Sequence, residues 1–141
     1  MLANQAPIGS RASSLPQGRR MTSAKIPVDE QRCIDAVDAA SSCYTSTNAS
    51  DWQAAGEGMW VKNIYADARR GERTLLFRME PNSFSPPHSH EEFEQVYVLE
   101  GSFYDEHKLL RAGDFCVRSP GVVHSAASTD GAMMLVVYTK A

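Results

Sequence analysis

The chain has 141 residues, 43% of them hydrophobic, which is enough for one small core and too little for two typical domains. Seventeen acidic residues against fourteen basic ones give a formal charge of -3, so the chain carries no basic footprint for a nucleic-acid partner. Its longest apolar run, Ala132 to Tyr138, is far below the ~20 residues that cross a bilayer, which excludes a membrane-spanning helix there and predicts a strand buried on both faces.

Residues 1–25 are rich in Ser, Gly, Pro and Arg and show no apolar periodicity, so they are expected to form a disordered tail ahead of one domain over residues 26–141. The tail lacks the apolar stretch of a secretory signal, and a cytoplasmic location is expected. Met21 is an alternative start, and an arginine-rich, acid-free leader also fits an organelle transit peptide. A short helix is expected over Val28–Ser42, with Ile34, Ala36, Val37 and Ala40 on one face and Asp29 and Glu30 in the first turn, where the helix dipole favours acids. Cys33, Cys43 and Cys116 make an odd count without metal spacing. They read as three reduced cysteines, a redox role for Cys116 being the sharper alternative. Asn48-Ala-Ser50 matches a glycosylation sequon, which without a signal peptide is a chance match.

After Trp52 the pattern is one of strands. They are expected at Met59–Tyr65, Arg73–Glu80, Ser85–His90, Glu94–Leu99, Phe103–Tyr104, Lys108–Arg111, Phe115–Arg118, His124–Ala127 and Met133–Thr139. Short strands, turns of Gly, Pro and Asp, and no crossover helices imply an all-β antiparallel sandwich or barrel. Along Glu94 to Leu99, an inward Glu94 puts Val96 and Val98 inside and Gln95, Tyr97 and Leu99 outside. Outward Tyr97 and Leu99 need cover, from the N-terminal segment or from a second subunit, and a homodimer is expected.

Chemistry concentrates in Pro86-Pro87-His88-Ser89-His90, then Glu94, Gly101 and the more distant His124. Two prolines favour extended backbone, and on a strand the side chains at i and i+2 share a face, so His88 and His90 can chelate one ion. Glu94, at the start of the next β-favouring run, reaches the same ion from a neighbouring strand, and parity leaves Glu91 and Glu92 as surface acids. The segment Gly113 to His124 is a short strand between glycine turns that delivers one more imidazole. His107, in Asp105-Glu-His-Lys108, reads as an exposed turn residue. Arg73, Arg78 and Arg118 read as surface-paired strand arginines, with anion binding as the alternative.

These segments resemble the two motifs of the cupin superfamily, G(x)5HxH(x)3E(x)6G and G(x)5PxG(x)2H(x)3N. His88, His90, Glu94 and Gly101 fit the first, over residues 82–101; Gly113, Gly121 and His124 fit the second, over residues 113–128. Asn82 stands where the first motif opens with glycine, Ser119 falls on the motif proline with Pro120 one place later, and Ser128 replaces the closing asparagine. Between Trp52 and Tyr138, the phrases Gly58-Met-Trp60-Val-Lys62, Arg73 to Pro81, Val98 to Glu106 and Gly113-Asp-Phe are similar to the ChrR-type cupins, found at the C-terminus of zinc-dependent anti-sigma factors and as stand-alone proteins. The resemblance implies a double-stranded β-helix, or jelly-roll, barrel with a metal held by His88, His90, Glu94 and His124. With no histidine before His88 and no CxxC, the helical zinc domain of the full anti-sigma proteins is expected to be absent.

Three imidazoles and one carboxylate suit one divalent ion per chain, whether Fe, Zn, Mn, Ni or Cu. Zinc could close its shell with these four ligands; the others would keep positions open for a small-molecule ligand. The leading expectation is a non-haem dioxygenase-like enzyme cleaving a small diketone or aromatic ketone, with Glu94 as a ligand and a candidate base. The alternatives are a non-catalytic, ChrR-like sensor of metal or oxidant, and a metal-dependent isomerase of a sugar-like acid. Limited proteolysis is expected to trim residues 1–25 without changing melting temperature; a large loss of stability on cutting back to Met21 would contradict the tail assignment.

Overall fold

The computed structural model describes residues 33–34 and 42–141. The tail expected over residues 1–25 and most of the helix expected over Val28–Ser42 lie outside them. The strands are β1 (Cys33–Ile34), β2 (Gln53–Gly56), β3 (Met59–Asp67), β4 (Glu72–Met79), β5 (Ser83–His88), β6 (Phe93–Tyr104), β7 (Leu109–Arg111), β8 (Phe115–Arg118), β9 (His124–Ser128) and β10 (Ala132–Thr139), with one 3-10 turn at Thr47–Ala49. They follow the order β1-β3-β4-β10-β6-β9-β5, with β2 on β3 and with β7 and β8 on β6, and curl into a nearly closed barrel. The β1–β3 pairing, Cys33 opposite Tyr65, is parallel; the other pairings are antiparallel. Among the described residues, no helix is long and apolar enough to cross a membrane.

Period-two alternation builds the core. Along β10, Ala132, Met134, Val136 and Tyr138 are buried while the residues between them are half-buried, so this strand has one interior face and not the two that its apolar run suggests. On β4, Leu75 and Met79 are buried and Phe77 packs against the core, which leaves Thr74, Leu76 and Arg78 on the outer side. Phe103, 2% exposed, plugs the interior from β6, and truncating such a ring costs ~3–5 kcal/mol. Glu94, Val96 and Val98 point inward and Tyr97 and Leu99 outward, as the alternation requires.

Three local features differ from the sequence-based expectation. Gly101 does not end a strand: Glu94–Leu99 and Phe103–Tyr104 are parts of one strand, β6, kinked where its register against β10 shifts at Met133/Met134. A glycine at φ 68 lets the strand bulge there, so its first half pairs with β8 and β10 and its last three residues with β7. His90 lies beyond the end of β5: the pairing with β9, interrupted at Pro86 and Pro87, resumes at His88 opposite His124 and stops there. Cys43 is disulfide-bonded, so the reading of three reduced cysteines fails at that position, while Cys116 is a free thiol.

The motif departures are accommodated locally. Asn82 keeps the left-handed conformation of the glycine it replaces, at φ 62, a region that asparagine visits more readily than most residues. Ser128 is buried and donates its hydroxyl to the Ser102 carbonyl at 2.6 Å, tying β9 to β6.

At Gly101 an added Cβ would clash with the Gly131 carbonyl oxygen, whereas at Gly113, φ 94, it meets nothing within 4 Å. Gly113→Ala is therefore expected to cost about 1–2 kcal/mol for its left-handed backbone alone. Gly101→Ala must also displace backbone and is expected to cost on the order of 4 kcal/mol. Equal unfolding midpoints for the two variants would contradict the bulge.

Candidate metal centre

The site forms where two chain reversals meet. After Pro86 and Pro87 the chain leaves β5 at His88, turns through residues 89–92 and enters β6, while the Ser119–Val122 turn leads into β9. The two turns are fastened by the Gly121 amide, which donates to the His90 carbonyl at 2.8 Å. His124 sits directly opposite His88 in the β5–β9 ladder. Ring centroids lie 4.9 Å apart for His88 and His90, 4.5 Å for His88 and His124, and 5.4 Å for His90 and His124. One nitrogen from each ring lies within 4.8 Å of the others.

The surroundings of the rings fit a metal. His88 Nδ1 lies 2.8 Å from the Pro86 carbonyl and His124 Nδ1 3.2 Å from that of Val122. A carbonyl only accepts, so both rings carry their proton on Nδ1 and turn the Nε2 lone pair toward the centre, an arrangement common to metal-ligating histidines. His90 Nε2 is buried without a hydrogen-bond partner. Such an orphan is costly in a dry interior, and an ion would satisfy it. Burial also holds the His90 imidazole below its usual pKa, outweighing the pull of Glu94 and favouring the neutral form that binds metals.

Glu94 stands among the rings, its oxygens 3.5 Å from His90 Nε2 and 3.3 Å from His124 Nε2. Each oxygen also has a protein partner. Arg118 Nη1 donates to Oε2 at 2.9 Å, and the Tyr138 hydroxyl donates to Oε1 at 3.0 Å. The second fork of Arg118 donates to Asp105 Oδ2 at 2.9 Å. Burial alone would lower the Arg118 pKa, yet the hydrogen bond to Asp105 and the charge of Glu94 raise it. Burial, with Glu94 alongside, pushes the Tyr138 hydroxyl far above its usual range and keeps it a donor.

The structure brings together all four residues singled out by the motif and adds Arg118, Tyr138 and Asp105. Register could have found two of these: Glu94 faces Arg118 on β8 and Tyr138 on β10. Asp105, in a hairpin turn, carries no such signal. His107 is exposed, as expected of a turn residue. Arg73 stacks 3.9 Å over the Tyr138 ring and pairs with Glu92 at 4.0 Å, while Arg78 lies over Trp52 and Trp60 on the outer side. Cys116 is half-buried and burial raises its thiol pKa, which opposes a reactive role.

Behind the imidazoles lies a cavity of ≈ 320 Å³, walled largely by Met59, Phe77, Met79, Phe103, Met134 and Val136. Its polar groups gather at one end. A ligand entering it would place an apolar body against methionine and phenylalanine and its oxygens beside His88, His90 and His124.

Residues 40–141 match the profile of the ChrR cupin-like domain. No curated protein matches the sequence. Among solved structures, the chain is similar to an RmlC-like cupin from Shewanella frigidimarina NCIMB 400, with 20% identity over 72% of this chain and 93% of that one and a TM-score of 0.65. It is similar to KdgF from Halomonas sp., with 20% identity over 70% and 95% and a TM-score of 0.62. It is also similar to the anti-sigma ChrR in its complex with Rhodobacter sphaeroides SigE, with 21% identity over 62% of this chain and 47% of that one and a TM-score of 0.56. At such identities the likeness speaks for the fold.

Arg118, its side chain 10% exposed, is the cation shared by two acids. Arg118→Gln leaves both carboxylates without it, and breaking a buried pair from one side costs ~3–5 kcal/mol. Denaturant unfolding of the metal-free variant is expected to show that loss, and saturating divalent metal to recover part of it. An unchanged midpoint would mean that the pair contributes nothing.

Proposed function

The chain belongs to the ChrR cupin-like domain family, and from that premise we propose a mononuclear metal enzyme in which His88, His90, His124 and Glu94 hold one divalent ion. Its reaction is dioxygenase-like, on a small diketone or aromatic ketone. The observation that carries this reading is the position of the three imidazoles in the wall of the apolar cavity, which leaves room beside them for a ligand. An ion such as iron(II) would supply Lewis acidity toward the ligand's oxygens and redox capacity toward dioxygen.

The chain's own groups do the rest. The Pro86 and Val122 carbonyls orient two of the imidazoles. Arg118 and the Tyr138 hydroxyl each donate to one oxygen of Glu94 and so fix the plane of its carboxylate. The methionine and phenylalanine walls hold the organic body. A homodimer fits this reading, because Tyr97, Leu99, Phe115 and Val117 are exposed on the outer side of β6 and β8.

A second reading, a non-catalytic cupin responding to metal or oxidant, draws on the family itself and on ChrR, whose solved structure is a complex with SigE. Metal analysis of protein purified without chelator or added metal, followed by oxygen uptake with a panel of diketones, separates the two. The enzyme reading expects about one ion per chain and ketone-dependent oxygen consumption. It further expects Glu94→Gln to retain some metal yet lose turnover by on the order of 100-fold. A metal-loaded protein indifferent to every ketone would leave the sensor reading standing.

A further inference from the structure

Neutral imidazoles add no charge to the centre, so its formal charge is set by Glu94, Arg118 and Asp105. Arg118 Nη1 lies 2.9 Å from Glu94 Oε2 and Nη2 lies 2.9 Å from Asp105 Oδ2. The three side chains are 13% exposed or less, so water screens them weakly. Arg118 is the cationic side chain among the residues lining the cavity, and both of its forks are taken by acids. Arg73, the next cation, is itself drawn toward Glu92.

Asp105 is held where it stands by the backbone. Its Oδ1 accepts the amides of His107 and Lys108, both at 2.9 Å, closing the turn between β6 and β7. Burial would raise its pKa, but these amide bonds and Arg118 outweigh it and keep the carboxyl ionised. The same turn is fastened to β9, where Glu106 Oε1 accepts the Ser125 amide at 2.8 Å next to His124. Asp105 is thus a fixed negative charge joined to Glu94 through the Arg118 guanidinium.

With a divalent ion present, the two carboxylates and one guanidinium leave the centre one net positive charge. We propose that Asp105 is a specificity-determining residue: by occupying the second fork of Arg118 it sets this single charge, so that the centre takes a monoanionic oxygen chelate, such as a diketonate, in preference to a dianion. The proposal rests on the metal reading above. A monoanion brings the cavity to neutrality, whereas a dianion leaves an uncompensated negative charge against methionine and phenylalanine. Without the Asp105 charge, Arg118 would have one to offer a second carboxylate of the ligand.

The test uses the cobalt(II)-loaded full chain, titrated with acetylacetone and with oxalate and followed by its visible spectrum, so that no turnover is needed. The readout is the ratio of the two dissociation constants, compared between wild type and variants. Asp105→Asn is expected to shift that ratio toward oxalate by on the order of tenfold, the scale of one unscreened charge several ångströms away. Asp105→Glu, which keeps the charge, should stay within about threefold of wild type. A variant that merely loosened the fold would weaken both ligands together, and an unchanged ratio in Asp105→Asn overturns the proposal. Failure of the wild type to bind cobalt overturns this proposal and the metal reading alike; cobalt binding with an unmoved ratio overturns this one alone.

Discussion

A carboxylate inside an apolar barrel must be compensated, and the interior is organised around that demand. Glu94 is 7% exposed, and an isolated ionised acid at that depth would be prohibitive. The cluster draws on three strands: β6 carries the acid, β8 brings Arg118 and β10 brings Tyr138. The imidazoles then converge on a carboxylate whose orientation is already fixed. Arg118 cannot balance Glu94 without being balanced in turn, and the hairpin turn at Asp105 answers that requirement.

Much of this was legible in the sequence because strand parity is a strict rule. Once Glu94 pointed inward, Val96 and Val98 had to follow and Tyr97 and Leu99 had to face out, and they do. The spacing of His88, His90, Glu94 and His124 likewise survived folding as proximity. Parity misled only where the backbone breaks it. β5 stops at His88 and leaves His90 past its end, and β6 continues through Gly101 at a positive φ. Tyr138 was hidden as the last residue of an apolar run, where its hydroxyl looked incidental. Asp105 depends on a turn that approaches the barrel mouth only in three dimensions, and no local pattern announces that. Of the helix expected over Val28–Ser42, Cys33, Ile34 and Ser42 are described, and Cys33–Ile34 pair with β3.

Polar and apolar functions are divided between the cavity's two ends. Three methionines line it, and flexible thioethers adapt to ligand shape more readily than branched side chains would. Orientation therefore falls to the few groups at the polar end, where the imidazole tautomers and the carboxylate are already set. A ligand in such a site would be held loosely by its organic body and tightly by its oxygens.

The hydrogen bond from the Gly121 amide to the His90 carbonyl joins two turns that are distant in the chain. The ligands thus come together only after β5 and β9 have paired, a long-range closure among the slower events in folding a barrel of this kind. The unfolded chain offers no equivalent nest, so a metal held at this centre would bind the finished barrel and stabilise it by mass action, more strongly as free metal rises. Supply of the ion would then govern the lifetime of the folded protein. A cell short of that metal would keep less of this protein, because the unloaded barrel opens more often to proteolysis.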